Sequence, residues 1–341
     1  MYLKLIDKSP REIIKYYEKP FYVYLSLSNI CNANCVFCEV RTNKEKKCNI
    51  NVFSLIDELA SLGTQYIHFT GGGEPFVNDD IFEYLDYCTQ KKIKIILISN
   101  GLNIDEAKIK KMSNYNIVAI FFSIDSHIPE VHDALRRTQG LWNKVTSNIN
   151  LIKQYMPEVK IVLNHVLNKK NIDDFEKFIM MKKTFDFDYI NPIVIKDYDA
   201  LFFTEDQIEK YNNKLDYYNN LANSLGLEFL SDNIDFFNNK VSSLGDRYNN
   251  IDLKCLYPSF CLFVDAPTGF VYPCDCSIHR DRKIYKIGDL KVQTFKEIWN
   301  GEKRKNLRKK LINSELDCKT KCDEANCQFN RCLLKEKEKE L

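Results

Sequence analysis

From about residue 21 to residue 195, short apolar runs alternate with longer stretches whose apolar residues recur at helical spacing. The short runs are typical of strands, and the longer stretches predict amphipathic helices. The predicted strands are residues 22–27, 66–70, 93–99, 118–124, 160–167 and 188–195. The predicted helices are residues 53–62, 81–89, 106–113, 141–155, 173–183 and 205–225. Strands that alternate with helices in this way indicate repeated βαβ units and a parallel sheet.

The number of these units bounds the architecture. Six are too few for an eight-stranded closed barrel, so we predict an α/β fold with an open, partial (βα)6 barrel and functional loops at the C-terminal strand ends. Beyond about residue 236, cysteines, prolines and Gly269 interrupt shorter elements, as expected of a small domain held together by metal. We therefore predict an N-terminal extension (1–20), the barrel (21–235), a small cysteine-rich domain (236–335) and a charged tail (336–341).

Charge and hydropathy narrow the class of protein. Lys and Arg total 49 against 47 Asp and Glu, and a formal net charge of +2 gives no general attraction to nucleic acid or to a membrane. No run of about 18 apolar residues is present, and the first 20 residues lack the apolar centre of a secretory signal. We expect a cytoplasmic protein. In that reducing compartment, 13 cysteines favour metal or redox chemistry over disulfides.

Three closely spaced cysteines follow the first predicted strand: Cys31, Cys35 and Cys38. Thiolates are the standard ligands of iron–sulfur clusters, and three of them would leave one iron of a four-iron cluster open to another molecule. A structural zinc site is the alternative, with Cys48 as a fourth ligand. Otherwise Cys48, like Cys88, is interpreted as a small buried apolar residue.

Polar and glycine residues stand at the ends of other predicted strands. Residues 69–75 read FTGGGEP, and consecutive glycines let the backbone approach a ligand closely, although a plain turn is the alternative. Ser123 ends the fourth strand. Asn100-Gly101 ends the third and can line the same mouth, although Asn-Gly more often marks only a turn.

A second group of cysteines occupies the C-terminal region: Cys255, Cys261, Cys274, Cys276, Cys318, Cys322, Cys327 and Cys332. Eight thiolates suffice for two fully ligated four-iron clusters. Sites of four cysteines are also a usual zinc arrangement, so the residues alone leave both metals open.

The CxxxCxxC triad, with Phe37 before its last cysteine, resembles the signature of the radical S-adenosylmethionine (SAM) superfamily. The C-terminal layout, with GFVYPC at 269–274 and IGDL at 287–290, resembles the SPASM domain of sulfatase-maturating and peptide-modifying radical enzymes. The resemblance implies an enzyme that binds SAM at a [4Fe-4S] cluster. Reductive cleavage of SAM then yields a 5′-deoxyadenosyl radical, which removes hydrogen from an unreactive carbon.

The same resemblance implies roles for individual barrel residues. Cys31, Cys35 and Cys38 would hold the SAM-binding cluster. Gly72, Gly73 and Glu74 would hold the SAM amino group, and Ser123 the methionyl group. Arg136 would pair with the SAM carboxylate, although its neighbour Arg137 is an alternative.

In the C-terminal domain the resemblance implies one or two auxiliary [4Fe-4S] clusters. The first would be held by Cys255, Cys261, Cys274 and Cys332, and most of the second by Cys318, Cys322 and Cys327. No cysteine follows Cys332, and the final spacing departs from the family pattern. Either Cys276 completes the second cluster, or that cluster is incomplete and a free Cys276 can donate a hydrogen atom. Asp275 is a candidate general base, with a loop-capping aspartate as the alternative.

Substrate and reaction stay open at this point. We expect a peptide, or a small metabolite such as a sugar or an antibiotic intermediate, to undergo dehydrogenation, cross-linking or epimerisation. The expected partners are this substrate and an electron donor such as flavodoxin or ferredoxin. The alternative from another class of protein is a non-catalytic zinc-binding protein. The nearly neutral net charge and the glycine motif at residues 69–75 argue against it.

Overall fold

The computed structural model describes residues 5–38, 48–195, 199–230, 255–274 and 285–313. In chain order its strands are β1 Tyr22–Ser26, β2 Tyr66–Thr70, β3 Lys94–Ser99, β4 Ile117–Ser123, β5 Lys160–Leu167, β6 Tyr189–Val194, β7 Glu228–Phe229, β8 Cys261–Asp265, β9 Phe270–Tyr272 and β10 Gly288–Asp289. Its helices are α1 Pro10–Ile13, α2 Val52–Ser61, α3 Ile81–Gln90, α4 Glu106–Met112, α5 Pro129–Arg136, α6 Leu141–Tyr155, α7 Phe175–Met180, α8 Glu205–Asn213, α9 Leu215–Ser224, α10 Phe295–Asn300 and α11 Glu302–Ile312.

The chain forms two compact units, one of residues 1–30, 43–96 and 248–341 and the other of residues 31–42 and 97–247. In the first unit β1 pairs in parallel with both β2 and β8, while β9 and β10 extend from β8 in antiparallel fashion. All five residues of β1 are buried, which explains why this strand reads as a continuous apolar run.

In the second unit β4, β5, β6 and β7 pair in that order, all in parallel. The register places Ser123 opposite Asn164, and Asn164 opposite Asn191. Parallel strands in register put the side chains of opposed residues on one face. These three polar residues therefore form one row across three apolar strands.

The six predicted strands and the first four predicted helices are present with ends shifted by at most one residue. The predicted helix at 205–225 is wrong as a single element. It divides into α8 and α9 at Lys214, whose N–H donates to the carbonyls of Tyr211 and Asn212 and so tightens the last turn of α8. Asparagines at 212 and 213 are poor helix formers, which favours an end there.

The pattern does not predict α5, a short helix that ends at Arg137 in the left-handed conformation. No helix among the described residues has the length and apolarity needed to cross a membrane. The proposed charged tail at 336–341 lies outside the described residues, and the predicted domain boundaries stay predictions.

Candidate active site

The cysteine triad lies on the loop that follows β1. Cys31 is exposed, Cys35 is buried and Cys38 is partly exposed. The backbone N–H of Val36 donates to the carbonyl of Leu135 at 2.9 Å, which attaches the loop to the last turn of α5. This hydrogen bond to a residue about 100 positions further along the chain therefore fixes the conformation of the cysteine loop.

Two sulfur atoms of the triad accept hydrogen bonds. Nδ2 of Asn100 and the backbone N–H of Ala33 each donate to Sγ of Cys31 at 3.5 Å. Nη1 of Arg136 donates to Sγ of Cys35 at 3.6 Å. Such bonds stabilise thiolates and tune the potential of a cluster that they ligate. The donor set therefore suits an iron–sulfur centre.

Burial raises the pKa of Cys35 from its ordinary value, because a buried thiolate loses the solvation of water. The guanidinium of Arg136 opposes this effect. Cluster ligation requires the thiolate form, so the adjacent cation offsets part of the cost of ionising this buried ligand.

Arg136 is held by Asp125, a residue that sequence reasoning missed. Nε of Arg136 donates to Oδ2 of Asp125 at 2.5 Å, and Nη2 donates to Oδ1 at 3.0 Å. Asp125 is fully buried and also accepts the N–H of Val166 at 3.0 Å. The sequence signals this pair only by spacing: Asp125 follows the strand-end Ser123 by two residues, and Arg136 comes 11 residues later.

Each partner keeps the other ionised. Burial by itself would raise the pKa of Asp125, but the charge and hydrogen bonds of Arg136 outweigh burial and hold that pKa below its ordinary value. Burial likewise disfavours the cation, yet Asp125 raises the pKa of Arg136. A guanidinium has five N–H donors. Asp125 accepts two and Cys35 accepts one, which leaves two for a further acceptor.

Two histidines beside this pair are neutral. Burial lowers the pKa of His132 and of His165 to about 4, against the attraction of Asp125. The backbone N–H of Asp125 donates to Nδ1 of His132 at 3.1 Å, and Nδ1 of His165 donates to the carbonyl of Ile124. His132 and His165 therefore stabilise the backbone around Asp125 through hydrogen bonds and add no charge.

The polar row of β4, β5 and β6 is also buried. Nδ2 of Asn191 donates to Oδ1 of Asn164 at 2.8 Å, and Ser123 is opposite Asn164 at the end of β4. Buried amides are costly unless they are hydrogen-bonded. Asn164 and Asn191 were not among the expected site residues. The sequence could have indicated them, because each is an asparagine within an otherwise apolar strand.

In the first unit, the glycine turn at the end of β2 packs against the residue that precedes the cysteine loop. A Cβ on Gly73 would lie 2.1 Å from the carbonyl oxygen of Ile30, so only glycine fits there. The N–H of Glu74 donates to the same carbonyl at 2.9 Å, and the N–H of Gly72 donates to Oγ of Ser26 at 3.3 Å. Glu74 is buried and its carboxylate accepts the N–H of Phe76.

Three expected auxiliary-cluster ligands are also in the first unit. Cys255 and Cys261 are buried and Cys274 is partly exposed. Cys261 begins β8, and Cys274 follows β9, which pairs with β8. Asp275 and the remaining expected ligands lie outside the described residues. These are Cys276, Cys318, Cys322, Cys327 and Cys332.

Among the described residues, no three His, Cys, Asp or Glu side chains converge as the ligands of a single metal ion do. Of the two isolated cysteines, Cys48 is partly exposed and Cys88 is buried. Burial raises the pKa of Cys48 to about 11, and its Sγ donates to the carbonyl of Leu27 at 3.3 Å. Burial also raises the pKa of Cys88, which is fully buried in α3.

Comparisons with known proteins agree with this geometry. The family model of the radical SAM superfamily matches residues 25–181, and that of an iron–sulfur cluster-binding domain, SPASM, matches residues 255–328. A cysteine-type anaerobic sulfatase-maturating enzyme of Clostridium novyi is 27% identical over 318 residues, covering 86% of this chain and 82% of the relative.

Two solved structures share the fold. The structure of anSMEcpe with bound AdoMet, another abbreviation of SAM, has a TM-score of 0.66 at 19% identity and covers 94% of this chain and 95% of its own. The structure of Streptococcus suis SuiB bound to precursor peptide SuiA has a TM-score of 0.64 at 15% identity, and the match covers 85% of this chain and 67% of SuiB. The predicted α/β fold class is therefore confirmed. The chain carries a radical SAM domain at residues 25–181 and a C-terminal SPASM domain, and it is an enzyme that uses [4Fe-4S] clusters and SAM.

Proposed function

We propose that this enzyme is a maturase that modifies a peptide by hydrogen-atom abstraction. The support is the similarity along most of the chain to a sulfatase-maturating enzyme and the shared fold with a structure solved with its precursor peptide. Dehydrogenation, cross-linking and epimerisation are the outcomes that this chemistry allows.

Cys31, Cys35 and Cys38 would hold the SAM-binding cluster. The bound cluster and SAM would supply a 5′-deoxyadenosyl radical on one-electron reduction. This assignment rests on the N–H groups that donate to the sulfurs of Cys31 and Cys35. Burying a cation beside a thiol is costly, and a loop without a ligand to bind would gain nothing from it.

The protein side of SAM binding would rest on a pre-oriented arginine. Asp125 holds Arg136 through two bonds, and the two remaining N–H donors suit the SAM carboxylate. Ser123 would contact the methionyl group. Gly72, Gly73 and Glu74 would hold the amino group, with the close backbone approach that only glycine permits at position 73.

In the SPASM domain, Cys255, Cys261, Cys274 and Cys332 would hold one auxiliary cluster. Cys318, Cys322 and Cys327 would hold most of a second, which Cys276 completes or leaves open. Asp275 would take a proton from the substrate during oxidation. The electron donor would be a flavodoxin or a ferredoxin.

The test is SAM cleavage by anaerobically reconstituted protein, followed as 5′-deoxyadenosine after reduction with dithionite. Replacing Cys31, Cys35 and Cys38 together with Ala should abolish this product and remove part of the bound iron. Cys88→Ala is the matched control and should keep both, because its thiol is enclosed in α3. A colourless wild type with stoichiometric zinc, or a triple variant that still forms 5′-deoxyadenosine, would refute the assignment.

The peptide is tested separately by mass spectrometry of candidate precursor peptides in heavy water. Loss of hydrogen without deuterium uptake indicates dehydrogenation or cross-linking, whereas deuterium at a backbone carbon indicates epimerisation. Turnover of a sugar and of no peptide would contradict the proposed substrate class.

A further inference from the structure

Helix α11 concentrates positive charge in a chain that is otherwise balanced. Its sequence, EKRKNLRKKLI, contains six Lys or Arg residues and one Glu, whereas the whole chain has 49 basic and 47 acidic residues. The helix therefore has a formal net charge of +5, whereas the remainder of the chain has 43 basic and 46 acidic residues and a net charge of −3.

The two arginines of α11 are used within the protein. Arg304 is 2% exposed, donates through Nη1 to the carbonyl of Pro258 at 2.7 Å, and pairs with Glu18 at 2.8 Å. Arg308 also pairs with Glu18 and donates to the hydroxyl of Tyr17. These bonds fix the helix in the first unit and account for both arginines.

The four lysines are not accounted for in this way. Lys303, Lys305, Lys309 and Lys310 are all exposed, and we call them the lysine face. The helix dipole favours Lys309 and Lys310 in the last turn, but it disfavours Lys303 in the first turn. Lys305 pairs with Glu302 at 3.2 Å on the surface, a contact of small energetic value.

The end of this helix is attached to a proposed cluster ligand. The backbone N–H of Cys255 donates to the carbonyl of Leu311 at 3.1 Å, and Leu311 is in the last turn of α11. Lys309 and Lys310 immediately precede Leu311 in the chain. A partner on the lysine face would thus be close to Cys255 and to any cluster that this residue ligates.

We propose that the lysine face docks a small acidic electron-carrier protein of the flavodoxin class, which takes electrons from the auxiliary cluster at Cys255. This inference rests on the proposed function. Oxidation of the substrate radical would transfer one electron to the auxiliary cluster and one proton to a base. A cluster held by Cys255 would pass that electron to oxidised flavin, which would take a proton from water and become the semiquinone. Complementary charge steers such an encounter and makes it sensitive to salt.

The test compares two quadruple Lys→Gln variants of the full-length, cluster-loaded enzyme. One removes the lysine face. The control removes four exposed lysines of the second unit, Lys110, Lys111, Lys169 and Lys170, and so changes the net charge equally. Oxidised flavodoxin is the probe. Its affinity is measured at low and high salt, and its reduction by the chemically reduced enzyme is followed by stopped flow.

Loss of the lysine face should weaken flavodoxin binding and slow flavin reduction by about tenfold or more at low salt. The control variant should retain both, and iron content and the thermal midpoint should match the wild type in both. Equal effects of the two variants, or no effect, would overturn the proposal. Equally tight, lysine-dependent binding of a random DNA oligonucleotide would also overturn it, because the face would then be a general polyanion site.

Cleavage of SAM driven by dithionite separates this proposal from the proposed function. A small reductant needs no docking surface, so the lysine-face variant should cleave SAM at the wild-type rate. Absence of cleavage in the wild type would refute the proposed function, whereas flavodoxin binding is measured without turnover.

Discussion

The buried pair of Asp125 and Arg136 allows a quantitative test of how the site is held. Breaking such a pair by removing one partner costs about 3–5 kcal/mol, since the other charge is left buried without its counter-charge. Asp125→Asn keeps one acceptor oxygen for Arg136 at the same place. We therefore expect a loss of about 3 kcal/mol in the free energy of unfolding of the second unit.

The matched control is Asp188→Asn in the same unit. Asp188 pairs with Lys153 at 2.7 Å and with Lys160 at 3.3 Å, but its side chain is 21% exposed. Water reaches part of this pair and screens it, and the substitution should cost only about 1 kcal/mol. The double variant Asp125→Asn with Arg136→Met should be more stable than Asp125→Asn alone, because the stranded charge is then removed as well.

The assay is urea unfolding of the cluster-free protein followed by tryptophan fluorescence. The chain has two tryptophans, and Trp142 in α6 belongs to the second unit. A Trp299→Phe background leaves Trp142 as the reporter of that unit. If Asp125→Asn costs no more than Asp188→Asn, the buried pair contributes no more than a partly exposed one, and the reasoning is refuted.

The pH dependence provides an independent check. The pKa of Asp125 is lowered in the folded protein from the ordinary 3.8, so its contribution is fully present above that value and is lost as pH falls through the folded pKa. The stability difference between wild type and Asp125→Asn should thus stay constant from about pH 8 to about pH 5. A difference that shrinks within this range would show that the pKa is raised instead.

Three further predictions concern the loops around the site. Gly73→Ala should abolish SAM binding measured by calorimetry, since its Cβ would displace backbone. Gly226→Ala should not, because its Cβ meets open space and costs only the strain of a left-handed backbone. Asn100→Leu removes a hydrogen bond to Cys31 and should lower the midpoint potential of the SAM-binding cluster in a redox titration followed by electron paramagnetic resonance, with iron content unchanged. Cys276→Ala should stop deuterium uptake into product if the enzyme is an epimerase; unchanged uptake would exclude that thiol as the hydrogen donor.

The strands and most helices follow from sequence because their signals are local. An apolar run such as that of β1 or β5 is buried on both faces in any parallel sheet, so its identity needs no knowledge of its neighbours. The cysteine triad and the glycine turn are equally local, since ligand spacing and glycine content are properties of one loop. Short helices such as α5, with few apolar residues to show a period, escape this reasoning.

Contacts between distant residues were decided only by the tertiary structure. The pairing of Asp125 with Arg136, and the aim of Asn100 at Cys31, depend on where strand ends and helices meet in space, and side-chain hydrogen bonds leave no periodic signal. Nor does sequence show that β8 pairs with β1, because about 235 residues separate them and pairing depends on the whole fold. The chain alone thus specifies which residues can carry the chemistry, while packing specifies the charge and hydrogen bonds that each receives.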